Sequence, residues 1–217
     1  MGVTLAQRLL SSEALENHYV VVIDREKTVC EVIYNQIGAI AICGSATSIQ
    51  TLLEAGIKKA DVAVALMRND SENLAFCLLA RSFGVPRVLV RMREVEFKEA
   101  YELAGATFVM PTVDLLINRF LTNIEQPRVR GLIDIGHELE VVAIDIPPSS
   151  PIAGMTVEEI AGRETSFCDC NFVACYDEAG NLEIPRGPTV IQGGSEVVLI
   201  ANKNNIPRIV RFFTEGS

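Results

Sequence analysis

Asp24 closes the apolar run Tyr19–Ile23 (YVVVI). A carboxylate at the carboxyl end of a strand can accept hydrogen bonds from a pair of ribose hydroxyls. In a dinucleotide-binding unit such an acid follows a glycine-rich turn by roughly 20 residues, and that turn opens a helix facing the pyrophosphate. Gly2 stands at this spacing, at the mouth of a helix read over residues 3–15, and takes the place of the third glycine, which lets helix and strand pack closely. The first strand and the first two glycines would then fall before residue 1. That first strand is central in the order 3-2-1-4-5-6, and without it two strands face each other across unpaired backbone. The reading is that the chain starts downstream of the beginning of its fingerprint. A segment from elsewhere filling the gap, or a sheet that closes up, are the alternatives. For Asp24 itself the plainer alternative is a solvated acid at a strand end.

Other chemistry finds less support. Six cysteines lie at 30, 43, 77, 168, 170 and 175. Three sit in apolar segments and read as small buried hydrophobes. Cys168, Cys170 and Cys175 offer thiolates in the wrong number and spacing for structural zinc, which takes four ligands in paired CxxC arrangements. No metal site is expected. The two histidines, His18 and His137, precede the second strand of the unit and sit in a connector. Neither is placed for acid–base chemistry at a strand carboxyl end.

These residues must be positioned by a regular alternation of elements. Strands are read at Tyr19–Ile23, Ala39–Cys43, Asp61–Met67, Arg87–Met92 and Thr107–Met110, and helices at 26–37, 48–55, 71–83 and 95–104. Short apolar strands separated by helices of about a dozen residues mean βαβ units, hence a Rossmann-like parallel sheet with helices on both faces. The first two strands read as buried on both faces. A helix over 112–125 carries Val113, Leu116, Phe120 and Ile124 on one stripe, fit to pack on its own sheet or on a neighbouring subunit. Gln126–Gly136 reads as an irregular connector, broken by Pro and Gly. The remainder is a small α+β domain: a strand at 139–146, a short helix at 156–161 capped by Thr156, a hairpin-like pair around 177–181, a strand at 196–201 and a closing helix at 206–213. The expected division is 1–122, a connector at 123–138, and 139–217.

Composition bounds the function. The net charge is −9, from 19 basic and 28 acidic residues, and 49% of residues are hydrophobic. Neither half carries a basic footprint, so nucleic acid is not an expected partner. No run reaches the roughly 18 apolar residues of a membrane span, and no secretory signal opens the chain. A soluble protein with reduced thiols is expected.

Several stretches together resemble the RCK (regulator of potassium conductance) family, in its TrkA-type form with TrkA N and TrkA C domains. VVVIDREK is similar to that family's second strand and ribose-binding acid. CGSATSIQTLLEAGIKKADVAVALMRNDSENLAFCLLAR is similar to its central stretch, with Gly44, Thr47, Gly56, Asp61, Asp70 and Asn73 in register. RVLVRMREVEF is similar to the strand that carries an arginine toward the ligand. SPIAGMTVEEIAGRE and IPRGPTVIQGGSEVVLIA resemble parts of the C-terminal subdomain. The chain departs from the family pattern in three places: Ser45 replaces an acid, Met67 a threonine, and Ser195 the acid of a Gly-Asp pair. Calcium-gated relatives carry acids where Arg91 and Arg93 stand, so a divalent-cation site is not expected.

The resemblance implies a regulatory subunit of a potassium uptake system that binds NAD(H) or ATP/ADP and gates a membrane channel or transporter subunit. It implies a homo-oligomer, dimers assembling into a ring, held in the cytoplasm at the inner face of the membrane by its transporter partner without inserting. Asp24 would accept from ribose hydroxyls and Arg25 would pack beside the adenine. Backbone groups of Ser45, Ala46 and Thr47 would rim the base, with Met67 at the site. Asn73 and Arg91 would approach from the facing side, Arg91 toward a phosphate. From the residues alone, Asn73 also reads as a polar helix start and Arg91 as a solvated charge. An NAD-dependent oxidoreductase and a nucleotide-independent assembly module are the alternative functions.

Overall fold

Alternation within Arg87–Met92 sets the first core. Val88, Val90 and Met92 are buried while their neighbours are more exposed, the period-2 pattern of a strand with one face turned inward. The computed structural model describes residues 1–13, 18–134, 138–162 and 170–215. The chain divides into two compact units, Met1–Leu115 and Leu116–Ser217.

In the first unit α1 spans Gly2–Leu10, β1 Val21–Asp24 and α2 Lys27–Val32, which continues into a π-helical turn at Ile33–Ile37. Then come β2 (Ile40–Cys43), α3 (Ile49–Glu54), β3 (Val62–Ala65) and α4 (Asp70–Ser82). β4 (Arg87–Met92), α5 (Lys98–Leu103), β5 (Phe108–Pro111) and α6 (Thr112–Glu125) follow. The Ser48 hydroxyl caps α3 by accepting from Thr51 N. Gly56 follows that helix at φ +75°, a conformation L side chains adopt only with strain.

All ladders here are parallel, as the βαβ reading expects. β1 pairs β2, with Asp24 opposite Cys43, and β4 runs between β3 and β5. Among the described residues no ladder joins β1 to β3, so the sheet does not close up. The interruption falls where the central strand of the order 3-2-1-4-5-6 runs. This arrangement corrects one expectation. The sequence reads β1 and β2 as buried on both faces, yet Val21 and Ile40 are exposed, and among the described residues each strand has a single ladder neighbour. The core gathers instead around β3 and β4, with Leu52, Phe76, Cys77, Ala80 and Tyr101 packed against them. Each large side chain buried there contributes ~1.5–3 kcal/mol.

The second unit contains β6 (Val129–Asp134), β7 (Leu139–Asp145), α7 (Val157–Gly162), β8 (Cys170–Tyr176), β9 (Leu182–Glu183), β10 (Glu196–Asn202) and α8 (Ile206–Thr214). Its sheet is antiparallel in the order β6-β7-β10-β8-β9. Val197, Leu199 and Ala201 of the central strand face a core shared with Ile144 and Ile152. Ile206, Ile209, Val210 and Phe213 close it from α8, at i, i+3, i+4 and i+7. Thr156 and Glu159 exchange bonds in a capping box, Glu159 N donating to Thr156 Oγ1 at 3.2 Å and Thr156 N to Glu159 Oε2 at 2.8 Å.

The segment 126–136, read as irregular, holds β6. Pro127 precedes the strand, and the register shift between Arg130 and Ile133 takes up Gly131, so both breakers are accommodated. Val129 is buried in the core, and Arg130 pairs with Asp145 on β7 and, at 3.3 Å, with Glu196 on β10. His137 and Cys168 lie outside the described residues.

Candidate nucleotide-binding site

The carboxyl ends of β1 to β4 gather most of the residues singled out above. At the tip of β1, Asp24 Oδ1 accepts from Glu26 N at 2.9 Å, which shapes the turn into α2. Among the described residues Oδ2 accepts no hydrogen bond. Asp24 O accepts from Gly44 N at 2.8 Å, tying the acid's backbone to the loop after β2.

That loop is Gly44–Thr47. Ser45 Oγ and Thr47 Oγ1 lie 2.9 Å apart, and Thr47 N donates to Ser45 Oγ at 3.3 Å. The loop presses on α3: a Cβ at Gly44 would sit 2.9 Å from both branches of Thr51, so the position needs a glycine or a displaced threonine. Ala46 packs against the core of the unit.

Arg25 joins the two halves of the site. Its Nη2 donates to Ser45 Oγ at 3.1 Å and lies 2.9 Å from Glu72 Oε1, on the first turn of α4. The arginine side chain is 59% exposed, so the ion pair is worth at most about 1 kcal/mol and can open for a ligand.

Across from it, Asn73 is fully buried on α4. Its Oδ1 accepts from Met67 N at 2.9 Å, and its Nδ2 donates to Met67 O and Arg91 O, both at 3.1 Å. The amide therefore holds the ends of β3 and β4 together, and both amide hydrogens are spent on the backbone. Arg91 is partly buried, and its Nε is buried with no hydrogen-bond partner. A guanidinium N–H left unpaired away from water is costly, so this donor is poised for an acceptor.

The support beneath this side comes from Asp70 and Tyr101, to which the sequence assigns no role. Asp70, 4% exposed, accepts from Arg93 N at 3.2 and 3.1 Å and from Glu94 N at 3.0 Å. The Tyr101 hydroxyl lies 2.8 Å from Asp70 Oδ1 and 3.0 Å from Asp70 O. Burial, and then the bond to Asp70, push the Tyr101 phenol well above its ordinary range. Arg93 Nη1 donates to Arg68 O at 3.1 Å. The backbone after β4 is thus fixed where Arg91 projects. The Asp-x-x-Asn spacing at the start of α4 was the available signal.

Gly2 stands apart from these residues. It is the first residue of α1, and a Cβ there would meet no heavy atom within 4 Å.

Comparison with known proteins adds a second line. A family model described as TrkA-N domain matches residues 1–112, and one described as TrkA-C domain matches residues 141–214. The chain belongs to the TrkA family. The Trk system potassium uptake protein TrkA homolog of Methanothermobacter thermautotrophicus is 31% identical over 215 residues, which covers 99% of this chain and 95% of that one. Among solved structures, the GsuK channel bound to NAD is similar over all of this chain and 38% of its own, with 23% identity and a TM-score of 0.63. GsuK bound to ADP is similar over 59% of this chain and 33% of its own, with 26% identity and a TM-score of 0.50. The chain therefore spans well under half of either solved protein. The first likeness shows the shared fold, a Rossmann-like unit followed by a small α+β domain, as the sequence predicts.

Proposed function

We propose that this TrkA-family chain is a nucleotide-responsive regulatory subunit of a potassium transport system, with its ligand at the strand ends of the first unit. The observation that carries the reading is the buried, unpaired Nε of Arg91, held in place by Asn73 and Asp70 on the same side of the strands. Such a donor suits a phosphate oxygen. Asp24 Oδ2 is free to accept from ribose hydroxyls. Arg25 would turn from Glu72 to lie beside an adenine rimmed by the backbone of Ser45, Ala46 and Thr47. Met67 and Asn73 would shape the floor.

These residues fit an adenine nucleotide, and the proposed ligand is NAD(H) or ATP/ADP. The relatives' names give the transport context, and the GsuK neighbour described as bound to ADP supports this ligand class. The chain acts as a switch rather than a catalyst. His18 lies at the amino end of β1, away from the carboxyl ends where chemistry on a bound cofactor would occur. Residues 1–122 would sense the ligand and 139–217 would assemble with it into the regulatory module.

Among the described residues no helix is long and apolar enough to cross a membrane. The proposed contact with the membrane is through a channel or transporter subunit at its cytoplasmic face. Leu116, Phe120 and Ile124 on α6 are exposed, which favours their packing on a second copy over their own sheet. A ligand shifts such an assembly only by binding two of its states unequally. Solution scattering with NAD, NADH, ATP and ADP tests this. Profiles that differ between nucleotides are expected, and four superimposable profiles identical to the ligand-free one would overturn the switch.

A further inference from the structure

Two thiols converge directly beneath Asp24. Cys30 lies in α2 and Cys43 ends β2, where the parallel register places it opposite Asp24. Cys30 Sγ donates to Asp24 O at 3.4 Å, and Cys43 Sγ donates to Arg25 O at 3.8 Å, so the pair reaches two consecutive carbonyls. The two side chains are near enough for Cys43 to act on the Cys30 thiol. Cys30 is buried and Cys43 is exposed. One sulfur can meet a small reagent while the other waits behind it.

We propose that Cys30 and Cys43 form a dithiol modification site that a peroxide closes into a disulfide. Cys43, as its thiolate, attacks one oxygen of hydrogen peroxide. The O–O bond breaks, Cys43 becomes a sulfenic acid, and the departing hydroxide takes up the thiol's proton as water. The Cys30 sulfur then attacks the Cys43 sulfur. The S–S bond forms, the S–O bond breaks, and the hydroxyl leaves as water with the Cys30 proton. Two thiols are oxidised, and one peroxide is reduced to two waters. Burial first, then contact with Cys43, pushes the Cys30 thiol up, which keeps it protonated until its partner is activated.

Closure removes both thiol donors. Asp24 O keeps its bond from Gly44 N, but Arg25 O loses the bond from Cys43. The turn carrying Asp24 and Arg25 must then rearrange, and nucleotide affinity should fall; this consequence rests on the function proposed above. Intracellular disulfides are characteristically of this transient, redox-sensing kind.

The full chain is oxidised with hydrogen peroxide, its free thiols are alkylated under denaturing conditions, and its peptides are mapped by mass spectrometry. The expected product links Cys30 to Cys43 within one chain and is reversed by dithiothreitol. Reduced but not oxidised protein should also take up a dithiol-selective trivalent arsenical at these residues. Cys43 converted to sulfinic acid beside an alkylatable Cys30, or linked to another cysteine, overturns the proposal. Nucleotide titration of both forms separates the two claims. About tenfold weaker binding after oxidation supports the coupling, and equal binding overturns it. A disulfide formed in protein that binds no nucleotide in either state leaves the thiol site standing and defeats the nucleotide site.

Discussion

Asn73 donates a hydrogen bond to the backbone carbonyl of Arg91 at 3.1 Å, tying the first turn of α4 to the end of β4. The same amide accepts from Met67 N and donates to Met67 O, so one buried side chain fixes two strand ends. Asn73→Ala leaves three backbone groups without this partner. Each buried unsatisfied group costs about 1–3 kcal/mol, less where water or relaxation restores a bond. A loss of at least ~2 kcal/mol in chemical denaturation is the expected outcome. A change below ~0.5 kcal/mol, the scale of an ordinary surface substitution, would show that the amide does not hold the strands.

Tyr101 provides a pH test of the support under Arg91. Its phenol is raised above the 10.0 of an unperturbed tyrosine, first by burial and then by the bond to Asp70. A raised folded-state value means that this stabilisation is fully present below about pH 10 and is lost as pH climbs through the folded value. Wild-type protein should therefore lose more stability than Tyr101→Phe between pH 9 and pH 11, read as the difference in their denaturation midpoints. At pH 7 the substitution should cost about 1.5–3 kcal/mol, the usual worth of a hydrogen bond to a charged group. Parallel pH profiles for the two proteins would contradict the assignment.

Some of this was legible in the sequence. Arg87–Met92 alternates strongly and lies between two ladder partners, and the strand has the boundaries the pattern predicts. Asp24 stands out as a strand-end acid from its place after a β-branched run, whereas Arg25 is singled out only through the family resemblance. Asp70 and Tyr101 meet across 31 positions, a pairing set by packing that no local pattern encodes. The backbone bonds of Asn73 are likewise not encoded locally: a polar residue near a helix start looks the same whether its amide meets ligand or backbone. β6 is not legible locally because Pro127 and Gly131 suppress strand propensity, whereas pairing with β7 and burial of Val129 supply what propensity lacks.

In the second unit Phe213 is buried, its ring stacks on that of Phe172 with centroids 5.8 Å apart, and its carbonyl accepts from Ser150 Oγ. Phe213→Ala should cost about 3–5 kcal/mol through lost burial and the cavity left behind. The denaturation midpoint of the C-terminal unit reads this out.

The α6 stripe carries the assembly claim. Phe120→Glu combined with Ile124→Lys places charge on exposed apolar positions and should leave folding nearly unchanged. Sedimentation should show a shift toward the monomer. An unchanged oligomer mass would place the self-association surface elsewhere.

The most direct measurement of the central claim is isothermal titration with NAD, NADH, ATP and ADP of the wild-type chain, Asp24→Ala and Arg91→Ala. Saturable binding of at least one nucleotide to the wild type is expected. Each substitution removes hydrogen bonds to a charged group, worth about 1.5–3 kcal/mol, and should weaken that binding by at least about tenfold. Tight binding unchanged in both variants, or no heat from any of the four with the wild type, would contradict a nucleotide site at these strand ends.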